Sequence, residues 1–397
     1  MKETVKLNKV KLLLLIILPT IIMSLITGTV VYSRLNKTGK VTSTNNKHVN
    51  EFINVYNKLL DEYYEKLDET KVIDAAINGM LSYTGDDYTI YMDENATEDL
   101  NDKLNGTYEG IGIRIAVNEN NEIYVYEIFD DSPASKAGLQ IGDILKSIND
   151  ESLEGKTPTE ASTIIKNSKE GKVKITALRN GENVTFDLVR KNLIVPAIKS
   201  SIKEVNGKKI GYIYIETFSS TVDTQVLTTL TSMEKEGIDS LILDVRYNTG
   251  GYLTACTKII EMFLKKDSLM YSIKSKKDSE EYRDTTDEHR NYKVAVLING
   301  SSASASEILA SSLKYSYGAT IIGEKSYGKG KVQTTGKLSD GTMIKYTSAL
   351  WYMPNGECLD KKGLTPDIEV SLSDEYKNNP TEETDNQLNE ALRVLSE

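Results

Sequence analysis

The chain has 397 residues, which is enough for two or three domains with ordinary hydrophobic cores. Hydrophobic residues make up 39% of it and charged residues 27%, a balance typical of a globular protein rather than a disordered one. The formal net charge is −10 and no stripe of basic residues with interleaved aromatics occurs, which argues against a nucleic-acid-binding protein. Two cysteines, Cys256 and Cys358, are too few for a disulfide framework, and two unpaired thiols are favoured over one bond between them.

The N-terminal segment has the pattern of a membrane anchor. Residues 12–33 contain no charged side chain and consist mostly of Leu, Ile and Val, which is about the length that spans a bilayer. Lysines precede this stretch, as in a signal anchor or a signal peptide, and no A-x-A-like cleavage site follows it. We therefore predict an uncleaved single-pass anchor in the cell membrane, favoured over a removed signal peptide. Residues 1–11 would be cytoplasmic, and the polar linker 34–49 would lead to domains on the extracytoplasmic side.

Residues 50–104 form the next region, in which apolar side chains recur at helical spacing. The stretch from Phe52 to Tyr63 predicts one amphipathic helix, and Lys71–Tyr83 predicts a second. A helical region of this size is expected to pack on a neighbour or to pair with a second copy of the chain, which would make a homodimer.

Residues 105–192 change to the alternating pattern of β-strands. Within them, the segment from Ser132 to Asn149 combines a short helix that ends at Gly138 with a turn at Gly142. This segment resembles the corresponding part of a PDZ domain. Such a domain binds a protein C-terminus as an added strand, while the N–H groups of one loop hold the terminal carboxylate.

The carboxylate-binding loop would consist here of Gly110, Ile111, Gly112 and Ile113. Ile111 and Ile113 would offer apolar contacts to the last side chain of the bound peptide. The alternative is that the two glycines only permit a tight entry into the strand, since Arg114 is the one nearby basic residue that would assist a carboxylate.

Residues 193–375 alternate strands and helices in the manner of an α/β domain. The expected strands are 208–218, 240–245, Val294–Ile298, Thr320–Gly323 and 343–353, and the expected helices are Thr224–Lys235, Tyr252–Leu264 and one from Ile308 to Leu313. The charged residues 274–292 are expected to form a surface excursion. Residues 376–397 are expected to end the chain with a short helix.

A serine block at 301–306 follows a predicted buried strand, and the chain offers little else for chemistry. The two histidines, His48 and His289, lie in polar or charged surroundings that would not hold an imidazole rigidly beside a nucleophile. No metal-binding or nucleotide-binding motif is present. Lysine is therefore the favoured base, and Lys329 between two glycines is the candidate. Burial would have to lower the pKa of its amine from about 10.4 toward 7–8.

Each of these residues also has an alternative interpretation. Lys329 taken alone would be an ordinary surface lysine. Ser304 and Glu307 fit a capping box, so Ser304 would simply cap a helix, and spacing does not separate it from Ser302 as the nucleophile. The turn Asn248–Gly251 would either present N–H groups to an oxyanion or be a plain strand-to-helix turn.

Five motifs carry a resemblance to a known family. They are SPASKAGLQIGD, LILDVRYNTGG, SSASASEILA, GEKSYGKGKVQ and YMPNGECLDKKGLTPDIEV. Together they are similar to those of the C-terminal processing peptidases, the tail-specific serine proteases of bacterial envelopes and chloroplasts, over about residues 50–395. The resemblance implies an α+β multidomain chain, in which a small helical segment and a PDZ domain precede a protease core of crotonase-like α/β architecture.

The same resemblance implies roles for individual residues. Ser304 would be the nucleophile and Lys329 the base of a Ser-Lys dyad, with Gln333 assisting the lysine. The N–H groups of Ala305 and of Gly250 or Gly251 would form the oxyanion hole. Thr249 stands where the family usually has proline, a change that would loosen the oxyanion turn without removing a catalytic group.

The expected function is that of a membrane-anchored, extracytoplasmic serine endopeptidase. Its PDZ domain would bind exposed, apolar C-termini of protein substrates, and the dyad would cleave them through an acyl-enzyme, with no cofactor and no metal. The main rival is a catalytically silent PDZ scaffold that binds C-termini or tethers a partner protease, against which the intact Ser304, Lys329 and Gln333 argue. A second rival, an acyl-CoA enzyme of the crotonase fold, lacks any sign of a nucleotide site.

Overall fold

The structure is a computed structural model that describes residues 45–338 and 341–397. These residues belong to two compact units, one ending at Gly85 and one running from Asp86 to Glu397. The predicted head 1–11 and anchor 12–33, with most of the linker 34–49, lie outside the described residues. Among the helices of the described ranges, none has both the length and the hydropathy needed to cross a membrane.

The described part of the first unit, residues 45–85, contains two helices, α1 (Lys47–Glu62) and α2 (Glu69–Ser82), where the apolar spacing predicted two. Asn46 and Asp68 begin them as N-caps, because each side-chain oxygen accepts backbone N–H groups of the first turn. Several apolar side chains of α1 stay exposed, namely Val49, Phe52, Val55 and Leu59. The unit therefore keeps an apolar face on its own surface.

The second unit opens with a short strand and a helix, β1 (Ile90–Met92) and α3 (Glu94–Asn105). Residues 86–104 thus belong to this unit, although the sequence pattern grouped them with the helical region 50–104. The side chains of α3 are mostly polar, so periodicity gave no sign of it. Its local signals are clear: Asp93 caps it, and Gly106 ends it in the left-handed conformation.

The predicted PDZ region folds around one six-stranded antiparallel sheet. Its elements are β2 (Thr107–Gly110), β3 (Ile113–Val117), β4 (Ile123–Ile128), α4 (Pro133–Ala137), β5 (Ile144–Ile148), β6 (Glu151–Ser152), α5 (Pro158–Lys166), β7 (Lys172–Arg179), β8 (Glu182–Val189) and β9 (Lys191–Ile194). The strand order is β3-β4-β5-β7-β8, with β6 beside β5, while β2 and β9 pair separately. Its core is apolar and includes Val125, Ile148 and Ile175.

The remaining residues form a core domain around a second six-stranded sheet. In spatial order its strands are β10 (Ile198–Val205), β11 (Lys208–Ile215), β12 (Ser240–Asp244), β15 (Lys293–Ile298), β16 (Thr320–Gly323) and β19 (Ile368–Glu369). All neighbours are parallel except β10 and β11. One face is covered by α6 (Val222–Lys235), α7 (Leu253–Glu261) and α8 (Ala305–Ser312), and the other by α10 (Asn386–Ser396) after the short α9 (Asp374–Asn378). Burial on both faces explains why these strands are nearly continuous apolar runs.

A five-stranded antiparallel sheet completes the core domain. It consists of β1 with β13 (Leu269–Ser275), β14 (Ser279–Arg283), β17 (Lys331–Lys337) and β18 (Met343–Tyr352). The prediction of a plain surface excursion over 274–292 missed β14, because its sequence is almost wholly polar. Tyr282 on this strand stacks on Tyr271 of β13, with ring centroids 4.7 Å apart, which gives the hairpin an apolar contact.

Candidate active site

Two loops meet at one edge of the core sheet because the strands before them are parallel neighbours. Asp244 at the end of β12 pairs with Leu297 near the end of β15, so both strands stop at the same edge. The turn Asn248–Gly251 follows β12, and the serine block 301–306 follows β15. Loops beyond the carboxyl ends of parallel strands are where α/β sheets place their sites.

Ser304 occupies a strained position at the start of α8. It is the N-cap residue of that helix and has φ +57° and ψ −115°. A residue with a side chain rarely adopts a positive φ, and holding it there costs roughly 1–3 kcal/mol. Such strain persists only where the surrounding structure imposes it, and a serine on a sharp strand-to-helix turn is a typical nucleophile geometry. Ser304 is thus both a cap and a candidate nucleophile.

The neighbouring serines have structural hydroxyl groups. The Ser302 hydroxyl donates to the carbonyl oxygen of Val245 at 2.8 Å and accepts the N–H of Asn299 at 2.9 Å. The Ser306 hydroxyl donates to the carbonyl oxygen of Asn248 at 2.7 Å. Both residues are fully buried, whereas the side chain of Ser304 lines a cavity. The structure therefore separates Ser304 from Ser302, which the spacing alone did not.

The buried carboxylate of Glu307 joins the serine turn to the lysine loop. One of its oxygens accepts the backbone N–H groups of Ser304 and Lys329, both at 2.9 Å. The other accepts the Ser326 hydroxyl at 2.5 Å and the Gly328 N–H at 2.7 Å. Burial raises the pKa of Glu307, and these four hydrogen bonds oppose that rise. This one side chain therefore fixes the backbone at both candidate catalytic residues.

The glycines on either side of Lys329 allow its loop to lie against the segment 360–363. A Cβ atom on Gly328 would come within 2.8 Å of the Gly363 nitrogen, and one on Gly330 within 2.7 Å of the Asp360 nitrogen. Only glycine permits so close an approach of two backbones. The carbonyl oxygen of Lys329 accepts the indole N–H of Trp351 at 2.9 Å, which fixes the loop from its other side.

The amine of Lys329 lies in surroundings that favour its neutral form. Burial lowers the pKa of this amine, and the positive charge of Lys345 lowers it further, while Glu307 and Asp86 oppose the change. The amine nitrogen lies 4.6 Å from the ring centroid of Tyr88. It makes no hydrogen bond with any residue that the structure describes. A lysine with a depressed pKa in a cavity has the property that a general base needs.

All the predicted catalytic and oxyanion residues line one cavity of about 480 Å³. They are Ser304, Lys329, Gln333, Gly250, Gly251 and Ala305. The Gln333 amide, however, donates to the Lys331 carbonyl oxygen at 3.2 Å and to the Thr347 hydroxyl at 3.4 Å, not to Lys329. The cavity thus brings Gln333 near the lysine without placing its amide against the amine.

The backbone N–H groups of the cavity distinguish the two glycines. The Gly250 N–H donates to the Asn248 side-chain oxygen at 2.8 Å, so it is already engaged. Neither Gly251 nor Ala305 uses its N–H in a hydrogen bond with a residue of the described ranges. A Cβ on Gly250 would come within 3.2 Å of the Ala305 nitrogen, which shows how near the turn lies to the start of α8. The pair best able to bind an oxyanion is therefore Gly251 and Ala305.

Other candidate chemistry is not placed at this cavity. His289 is exposed and does not line it, and His48 belongs to the first unit. Within residues 45–338 and 341–397, no group of three or more His, Cys, Asp or Glu side chains is arranged to hold a metal ion. Cys256 is buried and Cys358 partly buried, and both thiols are free.

The predicted carboxylate-binding loop is partly occupied by the protein itself. Ile111 is only 1% exposed and packs in the core of the PDZ region, so its side chain does not offer the predicted contact to a peptide. Ile113 is partly buried. The Gly112 N–H donates to the hydroxyl oxygen of Tyr108 at 3.1 Å, and the Tyr108 ring lies against Gly110, where a Cβ would clash. A phenol oxygen thus sits where a terminal carboxylate was expected.

Arg114 is likewise engaged within the protein. Its guanidinium binds both carboxylate oxygens of Glu216, at 2.8 and 3.1 Å, and Glu216 follows β11 of the core domain. Burial opposes the charged form of Arg114, but the Glu216 carboxylate raises its pKa. This bidentate ion pair links the PDZ region to the strand that ends beside the turn Asn248–Gly251.

Sequence reasoning missed several residues around the cavity. Glu307 was visible only as a capping-box partner. Asp86, which binds Lys331 at 2.8 Å, gave no signal because the two are far apart in the chain. Although burial opposes it, hydrogen bonds from Lys331, Thr347 and Thr89 lower the pKa of Asp86 well below its usual value. Lys345 was missed because a lysine on a strand looks like a surface residue.

Comparison with known protein families matches three parts of the chain. Residues 209–370 match peptidase family S41, residues 100–178 match the PDZ domain, and residues 23–96 match the N-terminal domain of the activating protease CtpB. The PDZ match overlaps the predicted PDZ domain at 105–192, and the S41 match lies within the predicted core at 193–375.

Two proteins of Bacillus subtilis are similar over most of the chain. The carboxy-terminal processing protease CtpB is 35% identical over 360 residues, which cover 90% of this chain and 74% of that protein. The carboxy-terminal processing protease CtpA is 31% identical over 372 residues, covering 93% and 79%. Among solved structures, the photosystem II D1 C-terminal processing protease is similar with a TM-score of 0.50 and 23% identity, over 87% of this chain and 90% of that one. That likeness shows a shared fold.

Proposed function

We propose, from the premise that this chain belongs to the carboxy-terminal processing proteases of peptidase family S41, that Ser304 and Lys329 are its catalytic dyad. The membership confirms the family predicted from the motifs, and the chain is a serine-type peptidase with a PDZ domain. One observation carries the assignment of roles: a strained serine and a lysine with a depressed pKa line the same cavity.

In the proposed reaction, the neutral amine of Lys329 accepts the proton of the Ser304 hydroxyl while the serine oxygen attacks the scissile carbonyl carbon. The oxyanion that forms is bound by the N–H groups of Gly251 and Ala305. The carbon–nitrogen bond then breaks, and the leaving amine takes the proton from the Lys329 ammonium. Lys329 next deprotonates a water, whose oxygen attacks the ester carbon. As the acyl group leaves, the Lys329 ammonium returns that proton to the Ser304 oxygen, and both residues regain their starting protonation states.

Substrate binding would complete this arrangement. In the structure the Lys329 amine lies over Tyr88, and the Gln333 amide is bonded elsewhere. Catalytic hydrogen bonds often form only in the complex with substrate. We propose that a bound chain draws Gln333 toward Lys329, and that the PDZ domain gates this step through the Arg114–Glu216 ion pair.

Capture of the substrate is proposed to depend on its C-terminus. An apolar C-terminal segment would add as a strand to the PDZ domain, with its carboxylate at the N–H groups of Gly112 and Ile113 in place of the Tyr108 hydroxyl. The PDZ domain would then feed the upstream chain to Ser304. The uncharged residues 12–33 support a further proposal, an enzyme anchored in the membrane and acting outside the cytoplasm. The exposed apolar side chains of α1 support the proposal of a homodimer.

The dyad is tested with the full chain in detergent and an unfolded protein substrate that ends in apolar residues. Ser304→Ala and Lys329→Ala should each abolish cleavage, while wild-type protein releases C-terminal fragments visible by mass spectrometry. Cleavage at the wild-type rate by either variant would exclude the dyad. Amidating the substrate's C-terminus should slow the wild type, and an unchanged rate would remove the role of the PDZ domain.

A further inference from the structure

The charge of the catalytic cavity is opposite to that of the whole chain. The formal net charge of the protein is −10. Four lysines nevertheless line this cavity, and its lining includes no Asp or Glu; the lysines are Lys103, Lys329, Lys331 and Lys345. Clefts lined by one sign of charge concentrate ligands of the other sign.

Two of these four lysines have a partner or a role within the protein. Lys331 binds Asp86 at 2.8 Å, and Lys329 is the proposed base. Lys103 and Lys345 differ from them, because the side chain of neither forms a hydrogen bond or an ion pair with any residue in the described part of the chain. Two positive charges in the cavity are therefore left without a counter-charge.

Lys345 is held at the cavity by the register of the antiparallel sheet. It pairs with Thr335, and Thr347 pairs with Gln333, so these four side chains lie on one face of β17 and β18. Thr335, Gln333 and Lys345 all line the cavity. Lys345 is partly buried, and burial lowers the pKa of its amine, which means that its charge is held at a cost in free energy. A negative group on a substrate would offset that cost.

Part of the cavity lining is apolar. Leu100 and Leu104 of α3 belong to it together with Leu253 of α7 and Ile308 of α8. Lys103 lies on α3 between the two leucines, and it also lines an adjoining cavity of about 410 Å³. The site thus offers apolar contact to one part of a peptide and positive charge to another.

We infer that this cavity selects substrates that carry a carboxylate close to the scissile bond, and that Lys345 and Lys103 bind it. The inference rests on the proposed function and adds a substrate class to it. The carboxylate has two sources with the same chemistry, an acidic side chain beside an apolar one, or the free C-terminus itself when the cut lies near the end of the chain. Complementary charge of this kind gives specificity more than raw affinity.

Two peptide series separate the sources. In the first series, every peptide ends in the same free apolar C-terminus, which lies far from the cut. One Glu is placed in turn at each position on either side of the scissile bond, and each peptide is compared with a neutral one that has Gln at that position. In the second, all side chains are neutral and the tail after the cut is shortened stepwise, each peptide being compared with its amide. Each ratio of kcat/KM compares two substrates on the same enzyme variant. Any change that a substitution causes in the pKa of Lys329 affects both substrates equally and cancels in the ratio.

For the wild-type enzyme we expect kcat/KM to be about tenfold higher for Glu than for Gln at one or more positions, or about tenfold higher for the free acid than for the amide in peptides with short tails. A tenfold ratio corresponds to about 1.4 kcal/mol. Lys345→Gln and Lys103→Gln should each bring this ratio toward one, and Lys345→Arg should keep it. Lys345→Glu should invert the charge preference, so that this variant cleaves a peptide with Lys at that position faster than one with Glu. Lys337→Gln is the matched control, because Lys337 is exposed on the same strand as Thr335 and outside the cavity.

The outcomes distinguish this inference from the proposed function. Equal rates for every Glu/Gln and acid/amide pair, in an enzyme that cleaves them and loses cleavage in Ser304→Ala, would overturn the inference and leave the dyad standing. A preference for carboxylate that survives both lysine substitutions would overturn the assignment to Lys345 and Lys103. A wild-type enzyme that cleaves none of the peptides would overturn the proposed function together with the inference.

Discussion

The carboxylate of Glu307 accepts the backbone N–H of Lys329 at 2.9 Å, although the two residues are 22 positions apart in the chain. The same oxygen accepts the N–H of Ser304. The proposed nucleophile and the proposed base therefore lie on two loops that are both bound by one buried carboxylate. The distance between Ser304 and Lys329 depends on a residue that itself takes no part in bond making.

Glu307→Gln should lower kcat about 100-fold with little change in KM, because an amide replaces one acceptor oxygen by a donor and the two loops separate. In a plot of kcat against pH, the substitution should also shift the rising limb to lower pH, because the charge of Glu307 raises the pKa of Lys329. A purely structural role would leave that limb in place. Glu357→Gln, at an exposed residue, serves as the control in the same pH series.

Substitution of Ser302 and of Ser304 should separate a structural role from a catalytic one. Ser302→Ala leaves the buried Asn299 N–H without its acceptor and removes one of the two hydrogen bonds that the Val245 carbonyl accepts. We therefore expect a loss of about 1–3 kcal/mol in the free energy of unfolding with normal kcat/KM. Ser304→Gly should abolish activity and raise stability by about 1 kcal/mol, because glycine adopts the φ of +57° without strain. An active Ser304→Gly enzyme would contradict the assignment, as would an inactive but folded Ser302→Ala enzyme.

The sequence predicted well those features that depend on nearby residues. The buried strands, the turn Asn248–Gly251 and the helix after the serine block all follow from short apolar runs and glycines. The motifs then indicated, through the resemblance to the family, that Ser304 and Lys329 are the candidate dyad. Contacts between distant segments were beyond such reasoning, because a single sequence does not say which loops meet.

Three residues illustrate that limit in physical terms. Glu307 has the pattern of a helix cap, and nothing in the sequence shows that four donors from two loops converge on it. Tyr108 looks like an ordinary strand residue until its hydroxyl is found at Gly112. Lys345 lies on a strand with mixed polar neighbours, and only the register with β17 places it at the cavity that Ser304 and Lys329 also line.

The activity should rise with pH as Lys329 loses its proton, and the charge of Lys345 should affect the pH at which this rise occurs. Burial and then the charge of Lys345 lower the pKa of Lys329, while Glu307 and Asp86 raise it. Lys345→Gln removes a like charge, so the rising limb of kcat/KM should move to higher pH. Lys337→Gln should leave it unmoved, and an unmoved limb in Lys345→Gln would show that the two amines do not interact.

The lowered pKa of Lys329 also makes the stability of the protein depend on pH. The pKa of Lys329 is lower in the folded than in the unfolded protein, so the unfolded state binds more protons between the two values and stability rises with pH there. At pH values below the pKa of Lys329 in the folded protein, the amine is charged and the full free-energy cost of burying that charge is present. Lys329→Met should therefore raise the melting temperature at pH values below the rising limb, and that gain should diminish above it. A gain that is independent of pH would reflect packing instead.

Loss of the buried ion pair between Arg246 and Asp385 should destabilise the core domain. Asp385 caps α10 and binds Arg246 at 2.7 Å, and Arg246 also binds Asp244 at 2.7 Å. Burial opposes the charge of Arg246, but the two carboxylates raise its pKa. Asp385→Ala leaves this guanidinium with one carboxylate and removes the cap, so we expect a loss of about 3–5 kcal/mol in the free energy of unfolding. Asp374→Ala, at the exposed start of α9, should cause no measurable loss in the same denaturant titration.

Tyr108→Phe should increase the affinity of the PDZ domain for a peptide C-terminus. The Tyr108 hydroxyl accepts the N–H of Gly112, a group proposed to bind the terminal carboxylate, so a peptide must displace it. Removing the hydroxyl frees that N–H, and a hydrogen bond between an N–H group and a charged acceptor contributes about 1.5–3 kcal/mol. We expect kcat/KM to rise about tenfold for substrates with a free C-terminus and to stay the same for their amides. Tyr126→Phe, on an exposed tyrosine of the same domain, controls for loss of a hydroxyl elsewhere. Equal gains on acid and amide substrates would mean that Tyr108 acts on the fold of the domain and not on its carboxylate site.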